Sequence, residues 1–173
     1  MKRVLFYVVL AIQGCVILFF VFQFERMEQG GTEIKLVTVE EKDVYGYDYP
    51  LQDDAYVQYE ITKIPDEMWS GSLNVNYNEM VYVLLRGDED GIYHVEEASD
   101  NKLSANAEQT VAVLGQYNFF DEQTRQHRID YNFQIVKNIE QYGDFMYTDH
   151  LIITLMISQW NQHTFRDVSI VHK

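Results

Sequence analysis

The 173-residue chain holds 27 acidic against 13 basic residues, for a net charge of −14, and a single cysteine among 13 Tyr and 10 Phe. Such an acidic chain is repelled by phosphate backbones, which excludes nucleic-acid binding, and one cysteine excludes an intramolecular disulfide framework. Stability has to come from packing, with aromatic rings as the main supply of buried area.

Lys2 and Arg3 precede an apolar run from Val4 to Phe24, diluted only by Gln13 and Gly14. At ~1.5 Å per residue this run spans roughly 30 Å, the thickness of a bilayer core. A cleaved signal peptide needs a shorter apolar region and a small-x-small exit. This run leaves through Phe20-Val21-Phe22-Gln23-Phe24-Glu25 instead. Ile12-Gln13-Gly14-Cys15 loosely resembles a lipobox, but cleavage there would start the mature chain with Val16–Phe22, which belongs in hydrocarbon. The reading adopted is an uncleaved single-pass transmembrane helix. Lys2 and Arg3 put its N-terminus in the cytoplasm by the positive-inside rule. Residues 1–24 are then a cytoplasmic tip and transmembrane helix, and 25–32 a short tether that includes Gly30-Gly31. Residues 33–173 are an extracytoplasmic domain, and setting Lys2 and Arg3 aside leaves −16 for everything beyond the transmembrane helix, tether included. The bilayer is a partner through residues 4–24, and the location implied is the cell membrane.

Beyond the tether the hydropathy has period two. Strands are expected at Ile34–Val39, Ala55–Ile61, Ser72–Tyr77, Met80–Leu85, Ile92–Glu97, Gln109–Tyr117, Ile129–Ile135, Leu151–Ile157 and Phe165–Val171. Met80–Leu85, apolar on both faces, reads as a central strand. Asp88-Glu89-Asp90-Gly91 and Trp160-Asn161-Gln162-His163 read as hairpin turns. Short helical turns fit Pro65–Trp69 and Phe119–Gln126. The class is therefore an all-β barrel or sandwich of about eight short antiparallel strands, preceded by one N-terminal transmembrane helix.

Little chemistry is written into this pattern. His94, His127, His150, His163 and His172 show no metal-ligand spacing and read as surface or strand-end residues. The acids around Asp88 stop after the turn, short of a calcium loop, and read as a wet hairpin tip. A type I signal peptidase places its nucleophilic Ser just past the membrane, whereas the first serine here is Ser70, with no Ser-Lys motif. No catalytic residue, metal site or cofactor is expected.

Gly31 to Pro65, GTEIKLVTVEEKDVYGYDYPLQDDAYVQYEITKIP, resembles the start of the GDYXXLXY family of membrane-anchored envelope proteins. Asp53, Val57 and Tyr59 fall on the signature Asp, Leu and Tyr, while Gln52 replaces the signature Gly and Asp54 its first Tyr. Val81–Leu85 with the acidic hairpin after it, and Ile129-Asp130-Tyr131, also look similar. The resemblance implies a partner that is a polytopic membrane protein, and brings no catalytic residues. Val57 and Tyr59, two apart, share one strand face and should enter the core. Asp53 is placed to accept bonds from turn amides. Asp53, Asp54, Tyr56 and Tyr59 are alternatively the lining of a binding groove, and Tyr45, Tyr47, Tyr49, Phe119 and Phe120 a contact patch. The function expected is a non-enzymatic accessory or interaction module. The alternative is an envelope enzyme or small-ligand sensor with a cleft across strands.

Overall fold

The computed structural model describes residues 2–39, 54–143, 150–158 and 161–171, with helix side chains described from Phe6 to Phe22. Helix α1 (Lys2–Gly30) carries apolar residues on every side from Phe6 to Phe22. Its large apolar side chains from Phe6 to Phe22 are 46–69% exposed, so none of them is packed into the domain. Among the described residues no helix is long and apolar enough to cross a membrane. The described side chains cover Phe6–Phe22, a stretch inside the longer run Val4–Phe24. The helix continues to Gly30, across most of the stretch read as a tether, and Gly31 alone separates it from the first strand.

Among the described residues ten strands follow: β1 (Thr32–Val37), β2 (Ala55–Tyr56), β3 (Lys63–Pro65), β4 (Met80–Gly87), β5 (Tyr93–Ser99), β6 (Thr110–Asp121), β7 (Gln126–Asp130), β8 (Ile135–Val136), β9 (Leu151–Ile157) and β10 (His163–Ile170). They form a five-stranded sheet in the order β3-β7-β6-β4-β5, a three-stranded sheet β1-β9-β10 and a two-stranded ladder β2-β8. All the ladders are antiparallel. The five-stranded sheet curls until it nearly closes. Trp69, just past β3, bridges Ala98 of β5, and the Ser70 N–H donates to the Ala98 carbonyl at 2.9 Å, joining the two edges.

One core serves all three sheets. Alternation places Val81, Val83 and Leu85 of β4, Val111, Val113 and Tyr117 of β6, and His127 and Ile129 of β7 inside the curl. Ile34 and Leu36 of β1 and Leu151, Ile153 and Leu155 of β9 close the core from the other sheet. At Gly115 a Cβ would stand 2.3 Å from Ile129 Cγ2, so β6 and β7 pack at a distance that only glycine permits. Asn161, at φ 59° in the β9–β10 turn, ties the sheets together. Its Oδ1 accepts the Leu114 N–H at 3.0 Å and its Nδ2 donates to the Leu114 carbonyl at 3.4 Å, completing β6 where β7 has ended.

Several expectations change in detail. β4 is an interior strand, but only one face is buried: Met80 is 46% exposed, and Tyr82 and Leu84 are half-buried. Ser72–Tyr77 is irregular, not a strand. Ile129–Ile135 is not one strand. β7 stops at Asp130, a turn over 131–134 inverts the parity, and Ile135 faces solvent while Val136 is buried. Ala55–Ile61 keeps its alternating burial, yet only Ala55–Tyr56 pairs as a strand and Glu60–Thr62 forms a 3-10 turn. A 3-10 turn does form at Asp66–Met68, whereas Phe119–Asp121 belongs to β6 rather than to a helical turn.

Candidate functional site

The signature segment is held against the turn that follows β7. Tyr59 is fully buried and its hydroxyl donates to the Phe133 carbonyl at 2.9 Å. In return the Tyr131 hydroxyl donates to the Ile61 carbonyl at 2.9 Å. Phe133 lies between both rings, stacked on Tyr131 at 5.0 Å and tilted against Tyr59 at 5.7 Å. Gln134, 2% exposed, uses both ends of its amide: Oε1 accepts the Tyr131 N–H at 2.7 Å and Nε2 donates to the Tyr56 hydroxyl at 2.8 Å. Burial pushes both the Tyr59 and Tyr131 phenols far above the ordinary tyrosine range. These groups are buried, bonded and held neutral, which is the behaviour of a structural clasp.

Beside this clasp, on the outer face of β6 and β7, lies a pocket of about 200 Å³ lined by Gln58, Thr62, Asn118, Phe119, Arg128, Ile129, Asp130 and Gln134. A β-bulge opens it. Tyr117 pairs with Ile129 and Phe119 with Arg128, which leaves Asn118 as the extra residue. Bulges of this kind re-aim side chains and are frequent beside binding sites. Here the bulge sets Phe119, half-exposed, across from Arg128 and brings Asn118 Nδ2 within 3.2 Å of Asp130 Oδ2.

Arg128 is under-satisfied. Its Nη2 reaches Asp121 Oδ2 only at 3.4 Å, and its buried Nε has no hydrogen-bond partner. Asp121 is already engaged in its own turn: the side chain and the N–H of Thr124 hold its carboxyl below the usual range. Arg128 and Asp130 therefore face one pocket with opposite charge and make no ion pair with each other.

A second polar cluster sits inside the curl. His127, 4% exposed, is buried rather than on the surface. Trp69 stacks on its ring at 4.4 Å and Phe120 covers it at 4.7 Å. Its Nδ1 is 3.2 Å from the Tyr117 hydroxyl, and its Nε2 lies 3.4 Å from Asp66 Oδ1 without hydrogen-bond geometry. Desolvation lowers the imidazole below its ordinary pKa, while Asp66 pulls the other way. Arg125 also pairs with Asp66 and is the main cause of the low carboxyl pKa there. Among the described residues no three His, Cys, Asp or Glu side chains gather closely enough to hold a metal ion.

The residues singled out in the sequence fall into three groups. Val57 and Tyr59 are buried as expected, in the clasp. Asp54 is exposed and its Oδ1 accepts the Asn138 N–H at 3.3 Å, while Tyr56 is 45% exposed with its hydroxyl on Gln134. Asp53, Tyr45, Tyr47 and Tyr49 lie outside the described residues. Of the residues read as a groove lining, Tyr59 points into the core, while a pocket among the described residues is lined by Gln58 and Thr62 of the same segment. Gln58 reads in the sequence as the wet residue of an alternating strand, while Asn118 and Arg128 fall between the expected elements, so none of the three carries a signal of its own. The only hint was opposite charge at Arg128 and Asp130 two positions apart. No family model matches the chain, and no curated protein or solved structure matches it.

Proposed function

We propose that this protein is a membrane-anchored interaction module, a β-domain held at the outer face of the cytoplasmic membrane by residues 4–24. The observation that carries this reading is the all-round exposure of large apolar side chains from Phe6 to Phe22. A helix apolar on every side needs a hydrocarbon environment or a protein core, and the domain has filled its own core without it. Lys2 and Arg3 favour the cytoplasm for the near end. The resemblance to the GDYXXLXY family supports a polytopic membrane protein as the partner, with no catalysis by the domain itself. Tyr45, Tyr47, Tyr49, Asp54 and Tyr56 are the residues proposed for the contact.

In-cell crosslinking followed by mild detergent extraction tests this reading. The expected result is recovery of one polytopic membrane protein in fixed ratio, reduced when Tyr45, Tyr47 and Tyr49 are changed together to Ala. Recovery of the chain alone contradicts the partner, and release by alkaline carbonate contradicts the anchor.

A further inference from the structure

Beyond its role at the membrane, we propose that the pocket on the outer face of β6 and β7 binds a small zwitterion of α-amino-acid size. Three observations lead to this ligand class. The first is volume: about 200 Å³ lies below the roughly 300–1,000 Å³ typical of drug-sized sites, so the occupant is a small metabolite.

The second is charge. Among the described residues, Arg128 offers a guanidinium whose only ion pair is a long one at 3.4 Å and whose Nε is unpartnered. A buried donor without an acceptor is costly, and a carboxylate meets a guanidinium in a two-pronged geometry. Two residues along the same strand face, ~6–7 Å away, Asp130 carries a carboxylate bonded through Oδ2 to Asn118. A plain anion would be repelled by Asp130 and a plain cation by Arg128. A ligand bearing both charges satisfies both walls at once.

The third is the rest of the lining. The Gln58 side chain makes no hydrogen bond among the described residues and is free to bind. Thr62 Oγ1 donates to the Tyr59 carbonyl at 2.8 Å and keeps its acceptor capacity for an ammonium group. Phe119 supplies an apolar wall for a side chain. Gln134 is fully committed to the clasp and fixes the floor.

Calorimetric titration of the full chain in lipid nanodiscs tests this, with L-leucine as the probe and butyrate and butylamine as half-probes. L-leucine is expected to bind, and each half-probe about tenfold more weakly or less, since a lost charge-assisted bond removes at least that factor. Asp130→Asn is expected to weaken L-leucine about tenfold. Gln58→Ala, which removes a side chain that makes no hydrogen bond among the described residues, weakens it about threefold and leaves the fold intact. No binding by L-leucine, binding of butyrate as tight as the zwitterion, or unchanged affinity in both variants overturns the proposal.

Discussion

Raising the pH is the sharpest way to probe the clasp that holds the signature segment. Tyr59 and Tyr131 are fully desolvated, and burial holds their phenols protonated well beyond the ordinary range. In the unfolded chain they ionise near pH ~10. A group whose folded pKa is raised contributes stability that is complete below the unfolded value and is lost as pH rises past it. Above pH ~10 the unfolded state releases two protons that the folded state keeps, so each tyrosine costs about 1.4 kcal/mol per pH unit. At pH 11 the pair removes about 2.8 kcal/mol, a large share of the 5–15 kcal/mol typical of a domain. Exposed tyrosines ionise alike in both states and cancel. The assay is urea unfolding of the detergent-solubilised chain at pH 8, 10 and 11, followed by Trp fluorescence. Tyr59→Phe is expected to cost about 1 kcal/mol at pH 8, through the lost bond to the Phe133 carbonyl, and to remove about 1.4 kcal/mol of the loss at pH 11, with Tyr131 and the part-buried Tyr93 and Tyr117, whose phenols burial also raises, keeping their share. Equal stability at pH 8 and 11, or an unchanged alkaline slope in Tyr59→Phe, would refute the reasoning.

Three further outcomes follow from packing and charge. Gly115→Ala drives a methyl into Ile129 Cγ2 and costs about 1–3 kcal/mol, read as a lowered melting temperature with unchanged secondary structure by circular dichroism. Asn161→Ala strands the Leu114 N–H and carbonyl and costs a similar ~1–3 kcal/mol in the same assay. His127 should titrate by NMR below pH ~6.5, because desolvation disfavours its charged form. Its contribution is present above that pH and lost as pH falls toward the folded midpoint. Asp66→Asn, by removing the neighbouring charge that raises this pKa, is expected to move the midpoint lower still.

Period two identified the strands wherever one face is buried for a full run, as in Leu151–Ile157, and the turn residues located both hairpins. It failed where the chain turns while still burying alternate residues. Tyr131 and Phe133 continue the rhythm of β7 into a turn because they are core residues of the clasp, and rhythm alone records burial, not pairing. The one-residue bulge at Asn118 is invisible for a related reason: the polar residue there looks like any solvent-facing position until the register across β6 and β7 is known. His127 was hidden by composition. Its burial depends on Trp69, 58 residues away in sequence, arriving over its ring through the bridge between the sheet edges. The pocket combines both difficulties, since Gln58 and Thr62 meet Arg128 only after β3 has paired with β7.

The central claim, that the N-terminal helix holds this domain at the outer membrane face, is tested most directly by protease treatment of sealed right-side-out membrane vesicles, with antibodies against the two ends of the chain. The account predicts that the epitope at Lys173 is destroyed while a short membrane-bound fragment with an intact Met1 end survives. Survival of the Lys173 epitope in vesicles that remain sealed, or loss of the whole chain to the supernatant, would contradict it.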